Sequence, residues 1–162
     1  MSKYNSIIQR FKGKRLLVIG DAVLDRYIKG SVSRISPEAP VPVVLQEESF
    51  YTPGGAANVA NNLASLGADV TLVSKIGDDI EGGILKRELK QRHIHTRGLF
   101  VDSHMSTVFK TRIIARHQQI VRLDREKAGK AGMDPIKEKK ILPYLRSHMK
   151  DFQAVIISDY AK

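Results

Sequence analysis

Cysteine is absent from the 162 residues. Disulfides, thiolate catalysis and cysteine-based metal sites are therefore excluded, and the absence agrees with a reducing compartment, so the cytoplasm is the expected location. Long apolar runs are missing too. Nowhere do about 18 apolar residues follow one another, as a membrane span needs, and the N-terminal MSKYNSIIQRFKGKR has too little uninterrupted apolar length for a signal peptide. No membrane insertion is expected. The five histidines show no metal-ligand spacing, since His93 and His95 lie two apart near a helix end and His117 falls in a turn. They read as surface or structural residues, and no metal site is expected. Aromatic residues make up only 6% and there is no arginine-rich run, which weakens any reading as a nucleic-acid surface.

What the chain does have is an ordinary 42% hydrophobic content, enough for one domain with its own core. Its net charge of +10 is unevenly placed: residues 84–162 carry 18 basic and 8 acidic groups, whereas residues 51–83 carry 1 and 4. Such an excess fits either nucleic-acid binding or anion-binding positions superposed on solvated basic elements. With the basic residues spread over helices and a hairpin, the second reading is preferred, and no nucleic-acid partner is expected.

Periodicity gives the order of elements. Residues 3–13 read as a short amphipathic helix with Ile7, Ile8 and Phe11 as its stripe and Gly13 at its end. Arg15–Gly20 (RLLVIG) and Asp69–Ile76 (DVTLVSKI) are continuous apolar runs, the mark of strands buried on both faces of a parallel sheet. Ala56–Leu66 is a helix closed by Gly67, and Ile80 to Arg92 a second one after the Gly77-Asp78-Asp79 turn. Strand, helix, strand, helix predicts a right-handed parallel α/β layer. Between Arg26 and Tyr51, short strand-like pieces at 27–30 and 41–45 flank the rigid Ser36-Pro37-Glu38-Ala39-Pro40, and prolines argue against a central sheet position. This segment reads as a projecting edge or lid.

Gly98–Val101 reads as a short strand. Thr107–Arg116 alternates, with Val108, Lys110, Arg112, Ile114 and Arg116 on one face, and returns through a His117-Gln118-Gln119 turn as a hairpin able to pair with the lid. Asp134 and Pro135 look like the cap and first residue of a helix to about His148, and Ala154–Ile157 like another buried strand.

The candidate site residues follow from strand ends and from one glycine pair. Asp21 and Asp25, just past the first strand, and Asp159, just past the last, stand where α/β proteins form ligand sites. In Pro53-Gly54-Gly55-Ala56-Ala57-Asn58, two glycines let the backbone take positive φ and let a ligand come close to the unpaired N–H groups of a helix start, with Asn58 beside them. On its own the pair fits a plain turn and cap equally well.

The wider spacing adds to this. Gly54-Gly55, Asn58, Ala60, Gly67 and Gly77 resemble the N-terminal signature of the ribokinase, or PfkB-type, carbohydrate kinases, and Val18-Ile19-Gly20-Asp21 with Asp25 resembles that family's first strand and sugar-binding aspartate. Within the family, GDAVLDRY (20–27), SRISPEAPVPV (33–43) and KTRIIAR (110–116) are most similar to the heptose-7-phosphate kinase domain of the bacterial ADP-heptose synthesis enzymes. The resemblance runs from about residue 5 to the end.

It implies a ribokinase-like parallel sheet flanked by helices, with a small β lid at about 26–51 and 105–125. The implied reaction transfers the γ-phosphate of ATP, with Mg²⁺, to the anomeric hydroxyl of a heptose 7-phosphate on the way to lipopolysaccharide core sugar. Asp25, Gly54, Gly55 and Asn58 would hold sugar hydroxyls, as a carboxylate and an amide suit them. Lys110, Arg112 and Arg116 would clamp the substrate phosphate, or else form a solvated strand face. Arg34 is a further phosphate candidate from the lid, Asp21 is either a turn cap or a sugar ligand, and Asp159 with Lys162 is a weaker site. The resemblance also implies a homodimer through the lid.

One motif of the resembled family is missing. Its catalytic base is the aspartate of a Gly-Ala-Gly-Asp segment that also supplies the anion hole, and no such segment occurs in these 162 residues. The chain therefore reads as residues 1–162 of a sugar kinase domain ending before the ATP-binding half, with no catalytic residue of its own and no full ATP or Mg²⁺ site. Two other readings are a different PfkB-type sugar kinase and a non-catalytic, dimerising sugar-binding fragment.

Overall fold

The computed structural model describes residues 3–126 and 136–159. In chain order the elements are α1 (Lys3–Gln9), β1 (Arg15–Gly20), β2 (Ala22–Ile35), β3 (Pro42–Gly55), α2 (Ala56–Ser65), β4 (Asp69–Gly77), α3 (Ile80–Gln91), β5 (His95–Asp102), β6 (Val108–Ala115), β7 (Gln118–Arg125), α4 (Leu142–His148), which continues a π-helical turn (Lys137–Ile141), and β8 (Ala154–Ser158).

The strands make two four-stranded sheets. The first, in the order β5-β4-β1-β8, is parallel throughout. Its centre is the two apolar runs, and Leu17, Val18, Val70 and Leu72 have no exposed surface. Helix α2 buries only Ala56, Ala57 and Ala60 completely, so small side chains let its backbone lie close to the sheet. Helix α3 inserts Leu85 and Leu89, one turn apart and fully buried, each contributing about 2 kcal/mol. This is the α/β architecture read from the sequence: a parallel sheet flanked by helices.

The second sheet, β3-β2-β6-β7, is formed by the segments expected to make the lid and keeps that label. Here the local reading needs correction. The two short pieces expected near 27–30 and 41–45 are parts of two 14-residue antiparallel strands, β2 and β3, which are rooted in the core, where Ala22 pairs with Gly55 and Leu24 with Pro53. The prolines agree with the position of β3 at the sheet edge, but β2 lies inside the sheet. It pairs on its other side with β6 in parallel, across the whole intervening crossover.

Three further expectations shift. The hairpin turn is Arg116-His117, both at positive φ (49° and 66°), as a two-residue turn between twisted strands requires. Arg116 therefore leaves the face it was assigned to. Strand β8 is not buried: Ile157 is 75% exposed, because β8 is an edge strand with nothing over that face among the described residues. Ile7 and Ile8 of α1 are each 46% exposed, so the first helix offers no deeply buried stripe. The expected cap at Asp134 and Pro135 lies outside the described residues.

One polar cluster fastens the root of the lid to the core. The Asp79 side chain caps α3 by accepting from Gly82 N–H at 2.8 Å; it also accepts from the Thr107 hydroxyl at 2.6 Å and from Thr107 N–H at 2.9 Å. The Thr107 hydroxyl oxygen in turn accepts from Gly77 N–H at 2.9 Å, at the end of β4. Arg125 of β7 pairs with Glu81 at 2.5 Å. Partial burial alone would raise the Asp79 pKa, but the Thr107 and Gly82 bonds and the charge of Arg125 outweigh it and hold the carboxyl below its ordinary value.

The folded carboxyl thus releases its proton more readily than the unfolded one, so its contribution to stability is complete above the ordinary carboxylate range and is lost as pH falls through the lower folded value. Asp79→Ala is expected to cost about 3 kcal/mol, from a lost helix cap and orphaned N–H and hydroxyl donors. Urea unfolding at pH 7 and at pH 3 checks both parts: the variant should be the less stable at pH 7, and the gap should narrow at pH 3.

Candidate functional site

The site is built where the two sheets meet. Strand β3 runs straight into α2, and the helix N-cap is Gly55 itself, at φ 54° and ψ −133° with no side-chain cap. An L-residue there would be strained, and its Cβ would also strike the Asp21 carbonyl oxygen, which already accepts Ala56 N–H at 2.9 Å. At Gly54 the constraint is a neighbour. A Cβ would stand 2.5 Å from Asp25 Oδ2, so the Asp25 carboxylate lies over the bare backbone of Gly54.

Register arranges the rest of this face. Thr52, Asp25, Lys110 and Asp124 form one row across β3, β2, β6 and β7, and Phe50, Tyr27, Arg112 and Arg122 form the next. Residues directly opposite one another share a face. Arg112 Nη1 donates to Asp25 Oδ1 at 2.5 Å while its guanidinium lies 5.5 Å from the Tyr27 ring centroid. Tyr27 and Phe50 stack at 5.3 Å, and Lys29 covers Phe50 at 4.8 Å. Burial opposes the charge on Arg112, but the hydrogen bond and charge of Asp25 hold its pKa above the ordinary value. Lys110 faces Asp124 at 3.9 Å.

A cleft of about 360 Å³ opens beside this row, lined by Asp25, Thr52, Asn58 and Asn61 as hydroxyl-seeking groups, by Tyr27, Phe50 and Pro53 as flat apolar surface, and by Arg92. Carboxylate, amides and a hydroxyl can exchange hydrogen bonds with vicinal hydroxyls, and the rings can cover the C–H face of a sugar. Asp25 and Asn58 thus converge here, with Gly54 beneath the Asp25 carboxylate; Gly54 and Gly55 are not among the lining residues.

The other sequence candidates are placed elsewhere. Asp21 and Asp159 line a separate cleft of about 290 Å³ with Ser74, Lys75 and Lys137, at the C-terminal edge of the parallel sheet. Arg34 is nine residues beyond Asp25 on β2, roughly 30 Å along an extended strand. Arg116 donates to the Val32 carbonyl at 2.8 Å. Lys162 lies outside the described residues. Among these residues no group of three His, Cys, Asp or Glu side chains is arranged to hold a metal.

Thr52, Asn61, Tyr27, Phe50 and Arg92 were not singled out from the sequence. Asn61 had a usable signal, standing one helical turn from Asn58. Arg92 had none, because it arrives from the end of α3, where its Nη1 binds the Glu88 carboxylate at 2.7 Å and the Glu88 carbonyl at 3.0 Å.

Solved structures share this fold. A carbohydrate kinase from Agrobacterium tumefaciens aligns over 69% of this chain and 35% of its own length at TM-score 0.54 and 25% identity. The ribokinase of Arabidopsis thaliana, determined with ribose and ATP, aligns over 75% of this chain and 39% of its own at TM-score 0.57 and 18% identity, a likeness of fold alone. The class is that of the ribokinase-like sugar kinases. Residues 14–158 match the model of the pfkB family carbohydrate kinases, and the chain belongs to that family.

Among curated proteins it is similar to the Bifunctional protein HldE of Magnetococcus marinus, 44% identical over 154 residues that make up 94% of this chain and 31% of that protein. It is also similar to the Bifunctional protein HldE of Helicobacter pylori strain HPAG1, 46% identical over 149 residues, 92% of this chain and 32% of that protein. The chain therefore spans about a third of the length of the curated relatives it matches.

The two glycines should respond differently to alanine. Gly55→Ala is expected to lower unfolding free energy by about 1–3 kcal/mol through backbone strain, read by urea denaturation. Gly54→Ala should instead displace the Asp25 carboxylate, visible as a shift of the Asp25 side-chain carboxyl carbon in NMR spectra.

Proposed function

We propose that this chain is the sugar-binding portion of a kinase that transfers the ATP γ-phosphate to the anomeric hydroxyl of D-glycero-D-manno-heptose 7-phosphate, in the synthesis of ADP-heptose for the lipopolysaccharide core. The observation that carries it is the Asp25 carboxylate, fixed over Gly54 within a cleft that also presents Thr52, Asn58 and Asn61. Further support comes from the two HldE relatives, which match nearly the whole chain. Lys110, opposite Asp25 in register, is the group of the lid face offered to the phosphate end, whereas Arg112, the second sequence candidate for it, is bonded to Asp25.

ATP and Mg²⁺ serve the full kinase, the nucleotide as phosphoryl donor and the cation as partner to its phosphates. In this reading the chain does not complete a site for them, because its sequence has no Gly-Ala-Gly-Asp segment. The 162-residue chain is accordingly read as a binder without turnover. The protein is cytoplasmic in this reading, and none of its described helices is long and apolar enough to cross a membrane.

Calorimetric titration is the test. The chain should bind heptose 7-phosphate, bind fructose and adenosine at least about tenfold more weakly, and lose about tenfold on Asp25→Asn, the cost of one charged hydrogen-bond partner. Equal affinity for fructose or adenosine would favour another sugar kinase of the family. ATP-dependent phosphorylation of the heptose by the pure chain would refute the absence of turnover.

A homodimer through the lid belongs to the same proposal. On the outer part of the lid, Val44, Ile113, Ile120 and Val121 line an apolar depression of about 490 Å³, and Leu123 stands exposed two residues along β7 from Val121. Light scattering should report twice the 18.1 kDa chain mass; a clean monomer that persists at high concentration would remove this part.

A further inference from the structure

Arg112 was assigned from sequence to the substrate's phosphate, yet the geometry gives that guanidinium another partner. Its Nη1 donates to Asp25 Oδ1 at 2.5 Å, and its Cζ lies 5.5 Å from the ring centroid of Tyr27, two residues along β2 from Asp25. Both side chains of the pair are largely buried, with 21% of Arg112 and 14% of Asp25 exposed. The contact spans 87 residues of sequence and depends on the parallel register of β2 with β6, in which Tyr27 lies opposite Arg112. The other carboxylate oxygen, Oδ2, is the one over Gly54.

We propose that Arg112 is a positioning residue: it takes one oxygen of Asp25 so that the other is fixed over Gly54 as the acceptor for sugar hydroxyls, and it does not hold the substrate phosphate. This rests on the reading of the Asp25 cleft as the sugar site. A carboxylate free to turn about its side-chain bonds would have to be ordered on binding, whereas one clamped by a planar guanidinium is already in place. Tyr27 places its ring beneath that guanidinium as a cation–π partner, and it also lines the cleft. Arg112 itself is not among the residues that line the cleft. Among the described residues, the cation that does line it is Arg92, and Arg92 uses only Nη1 for its bonds to Glu88.

The two roles make different demands on affinity. A phosphate ligand matters only when the sugar carries phosphate; a residue acting through Asp25 matters equally without it. The experiment measures binding of D-glycero-D-manno-heptose 7-phosphate and of the unphosphorylated heptose to wild type, Arg112→Gln and Arg112→Lys, with thermal melting to confirm folding. Arg112→Gln should weaken both sugars by the same factor, about tenfold. Arg112→Lys should restore only part of each, because an ammonium cannot reproduce the planar contact with Asp25 and Tyr27.

In an Asp25→Asn background, adding Arg112→Gln should cost no more than about twofold, since its partner is already altered. A loss confined to the phosphorylated sugar, or a full loss persisting beside Asp25→Asn, overturns the positioning role and leaves the cleft reading intact. If Arg112→Gln does not fold, the lysine variant decides: unchanged affinity for both sugars overturns the role. Wild type that binds neither sugar removes the reading of the cleft, and this inference with it.

Discussion

The carboxylate of Asp25 is the point on which the candidate site depends. One oxygen is taken by Arg112 and the other lies over the bare backbone of Gly54. Three segments distant in sequence therefore meet at one functional group: β2 carries the carboxylate, β6 the guanidinium, and the end of β3 the glycine. A side chain at Gly54 would exclude Asp25, and loss of the parallel β2–β6 pairing would remove Arg112. The glycine pair is thus more than a turn. Gly55 lets β3 enter α2 without a loop, and Gly54 provides the space in which a charged acceptor is held beside the amides of α2.

That arrangement needs the lid to be anchored, and the Asp79 cluster supplies the anchor. Thr107 immediately precedes β6, so its bonds to Asp79 and Gly77 fix the start of the strand that brings Lys110 and Arg112 beside Asp25. The same aspartate caps α3, whose far end delivers Arg92 to the cleft. Core helix, parallel sheet and lid are coupled through a few hydrogen bonds at least partly shielded from water, where each counts for more than at the surface. One side of the cleft is lined by β2 and β3 of the lid, the other by α2 and the end of α3.

Much of the fold was legible because it is written in local patterns. RLLVIG and DVTLVSKI have no polar face to spare, which specifies strands covered on both sides, and the glycines at 54, 55 and 67 mark the two ends of α2. What local pattern could not supply was pairing. Nothing near Arg112 in sequence says that β6 lies parallel to β2, and without that register its guanidinium cannot be assigned to Asp25. The same gap explains Arg116, where strand alternation was extended one residue into what is a positive-φ turn, and Ile157, whose apolar run reads as buried although β8 is an edge. Asp25 and Asn58 were reachable from motif spacing; Arg92 depended on how the end of α3 packs.

The claim most worth testing is the location of the sugar site, because two clefts carry sequence-derived carboxylates: Asp25 in one, Asp21 and Asp159 in the other. Chemical-shift mapping of the ¹⁵N-labelled chain with heptose 7-phosphate addresses this directly. The account expects saturable shifts centred on Asp25, Tyr27, Thr52, Gly54, Asn58 and Asn61. Shifts centred instead on Asp21, Ser74, Lys75 and Asp159, with the Asp25 row unmoved, would contradict it.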